Sequence, residues 1–260
     1  MMDVVALGEL LIDFATQSTD ESGYPTMAAH PGGAPANFLA ALTKFGAKTA
    51  LLGKVGADTF GNLLINTLKS AGIETRGMIQ TADTFTTLAF VTFDAHGDRE
   101  FAFARKPGAD TCMTFEELDL SLIDEAKVFH FGTLSLTDEP ARSATYKAVA
   151  YAKEHGKLIT YDPNLRKPLW NDMDTCKQQL LWGLSQADVV KISDEEVEFL
   201  FGLDVEEGAR HILSNFGVRL VFVTCGADGC YFSNGTATGK VSSLRNIKVI
   251  DTTGAGDIFG

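Results

Sequence analysis

The sequence predicts an α/β protein with a three-layer, doubly wound and mostly parallel sheet. Two observations carry that prediction. Short β-branched runs recur at residues 4–7, 49–52, 127–131, 158–161, 188–191 and 220–223, and they are apolar rather than alternating, the pattern of strands covered on both faces. Between them lie segments with apolar residues three and four apart, the helical period. Strands and helices in alternation, joined by right-handed crossovers, stack helices on both sides of one sheet.

The first strand, 4–7, leads into Leu10-Leu11-Ile12 and then Asp13. An acid there is either a strand-end charge or a carboxylate placed to accept two vicinal hydroxyls. His30-Pro31-Gly32-Gly33-Ala34-Pro35-Ala36-Asn37 opens a helix read from Phe38, Ala41, Leu42 and Phe45. Gly32 and Gly33 allow close backbone approach, and Asn37 both donates and accepts, as polyol binding requires; the alternative is a plain helix-start turn. After the strand at 49–52, Leu64, Leu68 and Ala71 mark a second helix. Residues 86–104, TTLAFVTFDAHGDREFAFA, alternate on both sides of Ala95-His96-Gly97-Asp98, a hairpin signal. Phe90, Phe93, Phe101 and Phe103 exceed what one buried face needs, and an isolated ribbon is unstable. It is therefore a lid or dimer clasp, or an edge hairpin of the main sheet; periodicity leaves both open.

In the strand 127–131, His130 reads as a core residue. The alanine-rich helix 141–153 stops at Gly156. The strand 158–161 is followed by Asp162-Pro163-Asn164-Leu165-Arg166, three polar side chains in one loop. The strand 188–191 is followed by Ile192-Ser193-Asp194-Glu195-Glu196, where Ser193 with Glu196 makes a capping box. The strand 220–223 is followed by Thr224-Cys225-Gly226-Ala227-Asp228-Gly229; this reads as a hairpin turn through Asp228-Gly229 or, less directly, as a phosphate contact. The last stretch, 247–250, reads as a strand and leads into DTTGAGD, residues 251–257. There Gly254, Ala255 and Gly256 bring unpaired N–H groups to an anion, and Asp257 stands beside it as a base; the alternative is an Asp-capped turn. No repeat or linker interrupts the chain, which reads as one domain with an inserted β-element.

A formal charge of -12 over 260 residues disfavours nucleic acid and anionic membrane as partners. It also repels nucleotides at long range, so any phosphate site has to be built locally. Cys112, Cys176, Cys225 and Cys230 form no Cys-x-x-Cys pair and read as reduced thiols. No run is long enough to span a membrane and no secretory leader is recognisable, so a cytoplasmic protein is expected. No Gly-x-x-x-x-Gly-Lys-Ser/Thr occurs, and Gly260 falls one place too late to complete a dinucleotide fingerprint with Gly254 and Gly256. Nearly all the candidate loops follow a predicted strand, where open α/β sheets bind ligands.

Four strings carry a resemblance: DTTGAGD, GGAPANFLAALTKFGAKTALLGKVGADTFGNLL from residue 32, REFAFARKPGAD from Arg99 and YDPNLRKPLW from Tyr161. With them the chain resembles the ribokinase-like (PfkB) carbohydrate kinases, and among these the fructokinases, from Gly8 to the last residue. The resemblance implies a ribokinase-like core with a small β-lid, its elements within about residues 10–30 and 84–106, that doubles as a homodimer clasp. It implies ATP-dependent phosphorylation of a sugar primary hydroxyl, fructose to fructose 6-phosphate. The alternatives are another ketose or a keto-acid sugar such as 2-keto-3-deoxygluconate, its carboxylate met by Arg105 and Arg166, or a non-catalytic sugar binder. Carried over to this chain, Asp257 is the base, and Gly254, Ala255 and Gly256 are the anion hole. Asp13, Gly32, Gly33, Asn37, Arg105, Asp162, Asn164 and Arg166 hold the sugar, with Phe101 or Phe103 closing over it. Lys191, Ser193, Glu196, Thr224, Gly226 and Gly229 line the nucleotide. Glu196 acts through Mg2+-bound water, and Asp251 and Thr253 belong to a K+-type monovalent-cation loop. Ser193 stands where many relatives have Asn. Relatives also continue several tens of residues past the last signature, so a C-terminally incomplete domain, a weakened nucleotide site and an exposed apolar face are expected of the 260 residues.

Overall fold

A computed structural model describes residues 1–93, 99–244 and 254–260, without the side chains at 93 and 99–101. The strands in chain order are β1 (Met2–Leu7), β2 (Leu11–Thr19), β3 (Pro25–Gly32), β4 (Thr49–Gly56), β5 (Met78–Thr81), β6 (Leu88–Phe93), β7 (Arg99–Ala104), β8 (Ala126–Gly132), β9 (Leu158–Asp162), β10 (Val189–Ser193), β11 (Leu220–Thr224), β12 (Cys230–Ser233) and β13 (Thr238–Val241). The helices are α1 (Ala34–Lys44), α2 (Thr59–Ser70), α3 (Leu120–Glu125), α4 (Ala141–Glu154), α5 (Met173–Gln186), α6 (Asp194–Phe201), α7 (Val205–Phe216) and α8 (Ala255–Phe259).

Nine strands form the central sheet in the order β13-β12-β11-β10-β9-β8-β1-β4-β5. Every pairing from β5 through to β11 is parallel, and only the β11–β12 and β12–β13 pairings are antiparallel, so β12 alone is reversed. The layers follow from the two-residue period of a strand. In β1, Val4 and Ala6 pack with Phe38, Leu39, Leu64 and Leu68 of α1 and α2, whereas Val5 and Leu7 pack with the cluster that takes in Leu122 of α3, Ala148 of α4 and Leu180 of α5. Both faces are therefore covered, as the apolar runs imply. His130 is buried in β8, its Nδ1 2.9 Å from Thr160 Oγ1 and its ring 4.2 Å from that of Phe38. The four cysteines are free, and among the described residues no helix is long and apolar enough to cross a membrane.

The expected hairpin forms, with β6 and β7 antiparallel from Leu88↔Ala104 to Phe93↔Arg99. It is not an edge of the main sheet. A separate four-stranded sheet runs β3-β2-β6-β7, joined by a parallel β2–β6 pairing that sets Asp13 opposite Ala89. Phe14 stacks on Phe90 at 5.3 Å and meets Phe60 of α2 edge-on at 5.5 Å, so this sheet rests on α2. The expected strand at 247–250 lies outside the described residues.

Candidate active site

The chain reaches Asp257 in the first turn of α8, after Gly254, whose φ of 72° is the left-handed conformation that glycine adopts without strain. Asp257 is only 9% exposed. Its two carboxylate oxygens are held from two distant parts of the sequence. Asn37 Nδ2, in α1, donates to Oδ2 at 2.9 Å, and Asn164 Nδ2, in the loop after β9, donates to Oδ1 at 3.2 Å. Asn164 has φ 45°, the one described non-glycine residue with positive φ, an uncommon backbone setting that gathers at functional sites. The small cleft beside this group is lined by Glu9, Phe38, His130, Thr133, Asp162, Asn164 and Asp257.

The second sheet contributes Asp13 to the same group. Its carboxylate occupies the space a side chain at position 32 would need, since a Cβ on Gly32 would lie 2.1 Å from Asp13 Oδ2. Burial pushes the Asp13 carboxyl up; Arg166 opposes that shift, and Asp257 adds to it. Asp13, Arg166, Asn37, Asn164 and Asp257 are thus one constellation drawn from four chain segments. Gly33, with φ 119°, lies against the backbone of Glu9, where a Cβ would fall 2.5 Å from the carbonyl oxygen. Phe103 is half-buried on β7, and β7 approaches the short turn Lys167–Leu169. The Phe101 side chain, Asp251 and Thr253 lie outside the described residues.

On the other side of α8, Lys191 Nζ is 3.1 and 3.3 Å from the two carboxylate oxygens of Asp162. Ser193 and Glu196 form the capping box of α6: the Glu196 N–H donates to Ser193 Oγ and the Ser193 N–H to Glu196 Oε2. Glu196 Oε1 also accepts the Leu165 N–H at 2.7 Å, which ties the 162–166 loop to the loop after β10. Thr224 ends β11, and the following turn, Gly226–Asp228, is a hairpin into β12. The glycine at 229 has a packing reason: with φ 97°, a Cβ there would lie 2.0 Å from the Val241 carbonyl oxygen. Gly226, at φ 51°, has open space in front of it.

Two expected sugar contacts take other partners. The Arg105 guanidinium is buried at 4% exposure, donating from Nε to Asp110 Oδ2 at 2.8 Å, from Nη1 to Thr137 Oγ1 at 2.8 Å and from Nη2 to the Leu134 carbonyl at 2.7 Å. A planar fork with its donors so engaged braces the end of β7 rather than presenting itself to a ligand. Asp162 lines the cleft and is also engaged by Lys191 and by the Asn164 N–H, the latter at 3.2 Å. Conversely, Glu9 is a site residue without an expected role. It is 3% exposed and accepts the Ala34 N–H at 2.9 Å in the first turn of α1. Burial pushes its carboxyl up to about 7. The available signal was an acid two residues past the apolar run 4–7.

The whole chain, residues 1–260, matches the family model described as pfkB family carbohydrate kinase. The chain belongs to that family. It is 44% identical over 259 residues to Fructokinase-2 of Solanum lycopersicum, covering 98% of this chain and 79% of that one. Among solved structures it superposes with a TM-score of 0.91 on the fructokinase with bound ATP from Xylella fastidiosa, at 32% identity, covering 100% of this chain and 79% of the other. A putative Ribokinase II in complex with ATP and Mg+2 from E. coli gives 0.89 at 30% identity, covering 100% and 84%. The PfkB fold places Asp257, Asn37 and Asn164 at the carboxyl edge of its sheet, at a helix start.

Proposed function

We propose that this PfkB kinase transfers the γ-phosphoryl group of ATP to the primary hydroxyl of fructose, giving fructose 6-phosphate and ADP. The observation that carries the reading is the buried Asp257 carboxylate, oriented by the Asn37 and Asn164 amides at the mouth of the glycine turn of α8. The fructokinase relatives support the acceptor, and the ATP-bound neighbour supports the donor. In the mechanism, Asp257 takes the hydroxyl proton, the hydroxyl oxygen attacks the γ-phosphorus, and ADP leaves in line. Charge on the transferring group is held by the backbone N–H groups of Gly254, Ala255 and Gly256. Asp13, Asn37, Asn164 and Arg166 orient the sugar against the floor made by Gly32 and Gly33. Thr224 and Gly226 border the phosphates. A keto-acid acceptor is disfavoured because Arg105 is committed to Asp110.

Among the described residues no three His, Cys, Asp or Glu side chains converge on a metal position. That fits Mg2+, which enters with phosphates and keeps its waters; Glu196 would meet it through one of them, and the ion supplies charge neutralisation. Asp251 and Thr253 would hold the monovalent cation. The second sheet, with Phe103, would serve as the lid and as the homodimer surface. The four free cysteines suit a cytoplasmic setting.

The test is an ADP-release assay across a sugar panel with Asp257→Asn alongside. Fructose is expected to be the best acceptor, and the variant to lose about 10²–10⁴-fold in kcat while still binding fructose. Near-normal turnover by the variant would show that Asp257 is not the base.

A further inference from the structure

Asp162 closes β9, and Lys191 lies on the adjacent parallel strand β10, where Val189↔Thr160 and Val190↔Tyr161 bring the two side by side. Both side chains are about nine-tenths buried or more, at 6% and 10% exposure. The ammonium gives two of its protons to Asp162, at 3.1 and 3.3 Å, and its third N–H has no partner among the described residues. It lies against the glycine turn, since a Cβ on Gly256 would come within 3.3 Å of Nζ. The same Asp162 carboxylate accepts the Asn164 N–H at 3.2 Å, and Asn164 in turn donates to Asp257. One buried carboxylate therefore holds both the cation that lies against Gly256 and the backbone of Asn164, whose side-chain amide reaches Asp257. A buried ion pair is a weak source of stability, so positioning is what this pair supplies.

We propose that Lys191 is the cation that meets the transferring phosphoryl group at Gly256, and that Asp162 is a positioning residue acting through Lys191 and Asn164 rather than a sugar ligand. The inference rests on the kinase reading for its catalytic part. A Cβ at position 256 would crowd the ammonium at 3.3 Å, which a glycine avoids. Lys191 is thereby set apart from Thr224 and Gly226, which border the part of the nucleotide that does not move.

The experiment compares Asp162→Asn, Lys191→Met, Lys191→Arg and the double variant Asp162→Asn/Lys191→Met. Lys191→Met is expected to lose about 10²–10³-fold in kcat, the scale of losing one transition-state donor. Asp162→Asn is expected to lose about 10–100-fold in kcat, with fructose KM within about threefold. The double variant is expected to be no worse than Lys191→Met, because residues acting as a unit are non-additive. Lys191→Arg, which keeps the charge, retains more activity than Lys191→Met. A raised fructose KM with unchanged kcat in Asp162→Asn, or additive losses in the double variant, overturns the positioning role. Calorimetry adds a readout apart from turnover: Lys191→Met should weaken ADP–aluminium fluoride in the presence of fructose by about tenfold or more, and ADP alone by no more than about twofold. Equal loss for both ligands puts Lys191 on the ADP phosphates and overturns the assignment. If no sugar were phosphorylated by the wild type, the kinase reading would fail, and inorganic phosphate binding would test the cation by itself: it should fall in Lys191→Met, and an unchanged affinity rejects it.

Discussion

Replacing Glu9 by Gln tests how the start of α1 is held. The carboxyl is buried, accepts the Ala34 N–H and is raised by burial from 4.5 to about 7, with Arg105 opposing and Asp110 reinforcing the shift. A raised acid binds more protons folded than unfolded between those two values. Its favourable contribution is full below pH 4.5 and is lost as pH rises to about 7. At 1.36 kcal/mol for each unit of pKa, the loss is about 3 kcal/mol. The wild-type stability curve hides it, because His130 works the other way: burial depresses its imidazole from 6.5 to about 3, so its contribution is present above pH 6.5 and falls away on acidification. The difference between variant and wild type isolates Glu9. Gln keeps an acceptor for Ala34 and cannot ionise, so urea denaturation followed by Trp170 and Trp182 fluorescence should show the variant gaining about 3 kcal/mol relative to wild type between pH 4.5 and 7.5. A difference that stays flat within about 0.5 kcal/mol across that range would refute the reasoning.

Other substitutions separate stability from catalysis. Gly33→Ala places a Cβ 2.5 Å from the Glu9 carbonyl at a φ of 119°, and chemical denaturation should show a loss of about 2–3 kcal/mol. Arg105→Met leaves Asp110 buried with Thr87 as its remaining side-chain partner and should destabilise by about 3–5 kcal/mol; Arg105→Met/Asp110→Asn should recover part of this, and full stability of the single variant would contradict the network. Asn164→Ala should lower stability by about 1 kcal/mol through its positive φ and lower kcat at least about tenfold by removing a donor to the Asp257 carboxylate. Asn164→Gly, which tolerates the φ, should lose the same kcat without a comparable shift in the denaturation midpoint.

The parallel core was legible because strands such as β1, apolar and buried from Val4 to Leu7, leave an unbroken apolar run. The strand-end position of the site was legible for the same reason, since each polar loop follows such a run. Periodicity alone left the second sheet open, because it depends on the pairing of Asp13 with Ala89 and alternation records which face a residue takes without recording its partner strand; the family resemblance supplied it, with elements within about residues 10–30 and 84–106. The partnership of Asp162 with Lys191 was hidden similarly: it depends on β9 and β10 being neighbours in register. Family resemblance assigned Arg105 a sugar contact; its pairing with Asp110 five residues on lies within the same string, REFAFARKPGAD, but a string does not record which of its side chains meet.

The crossings between the two sheets show why an acid on the second sheet can belong to a site on the first. The chain leaves the core at Glu9 and returns at Gly33; it leaves again at Thr87 and returns at Arg105. Glu9 binds Ala34 across the first pair of crossings. At the second, Asp58 Oδ2 accepts the Thr86 N–H at 2.8 Å, while Asp110 accepts both the Thr87 hydroxyl and Arg105. Each crossing is thus fastened by a carboxylate that belongs to the core or its border. Asp13 is the third residue of β2, close enough to the first crossing to inherit that fastening, and it holds its place beside Arg166 and Asp257. The outer halves of β2 and β3, exposed from Gln17 to Thr26, lie beyond it. A closing motion of this sheet would therefore bend those outer halves while leaving the Asp13 carboxylate registered with the base.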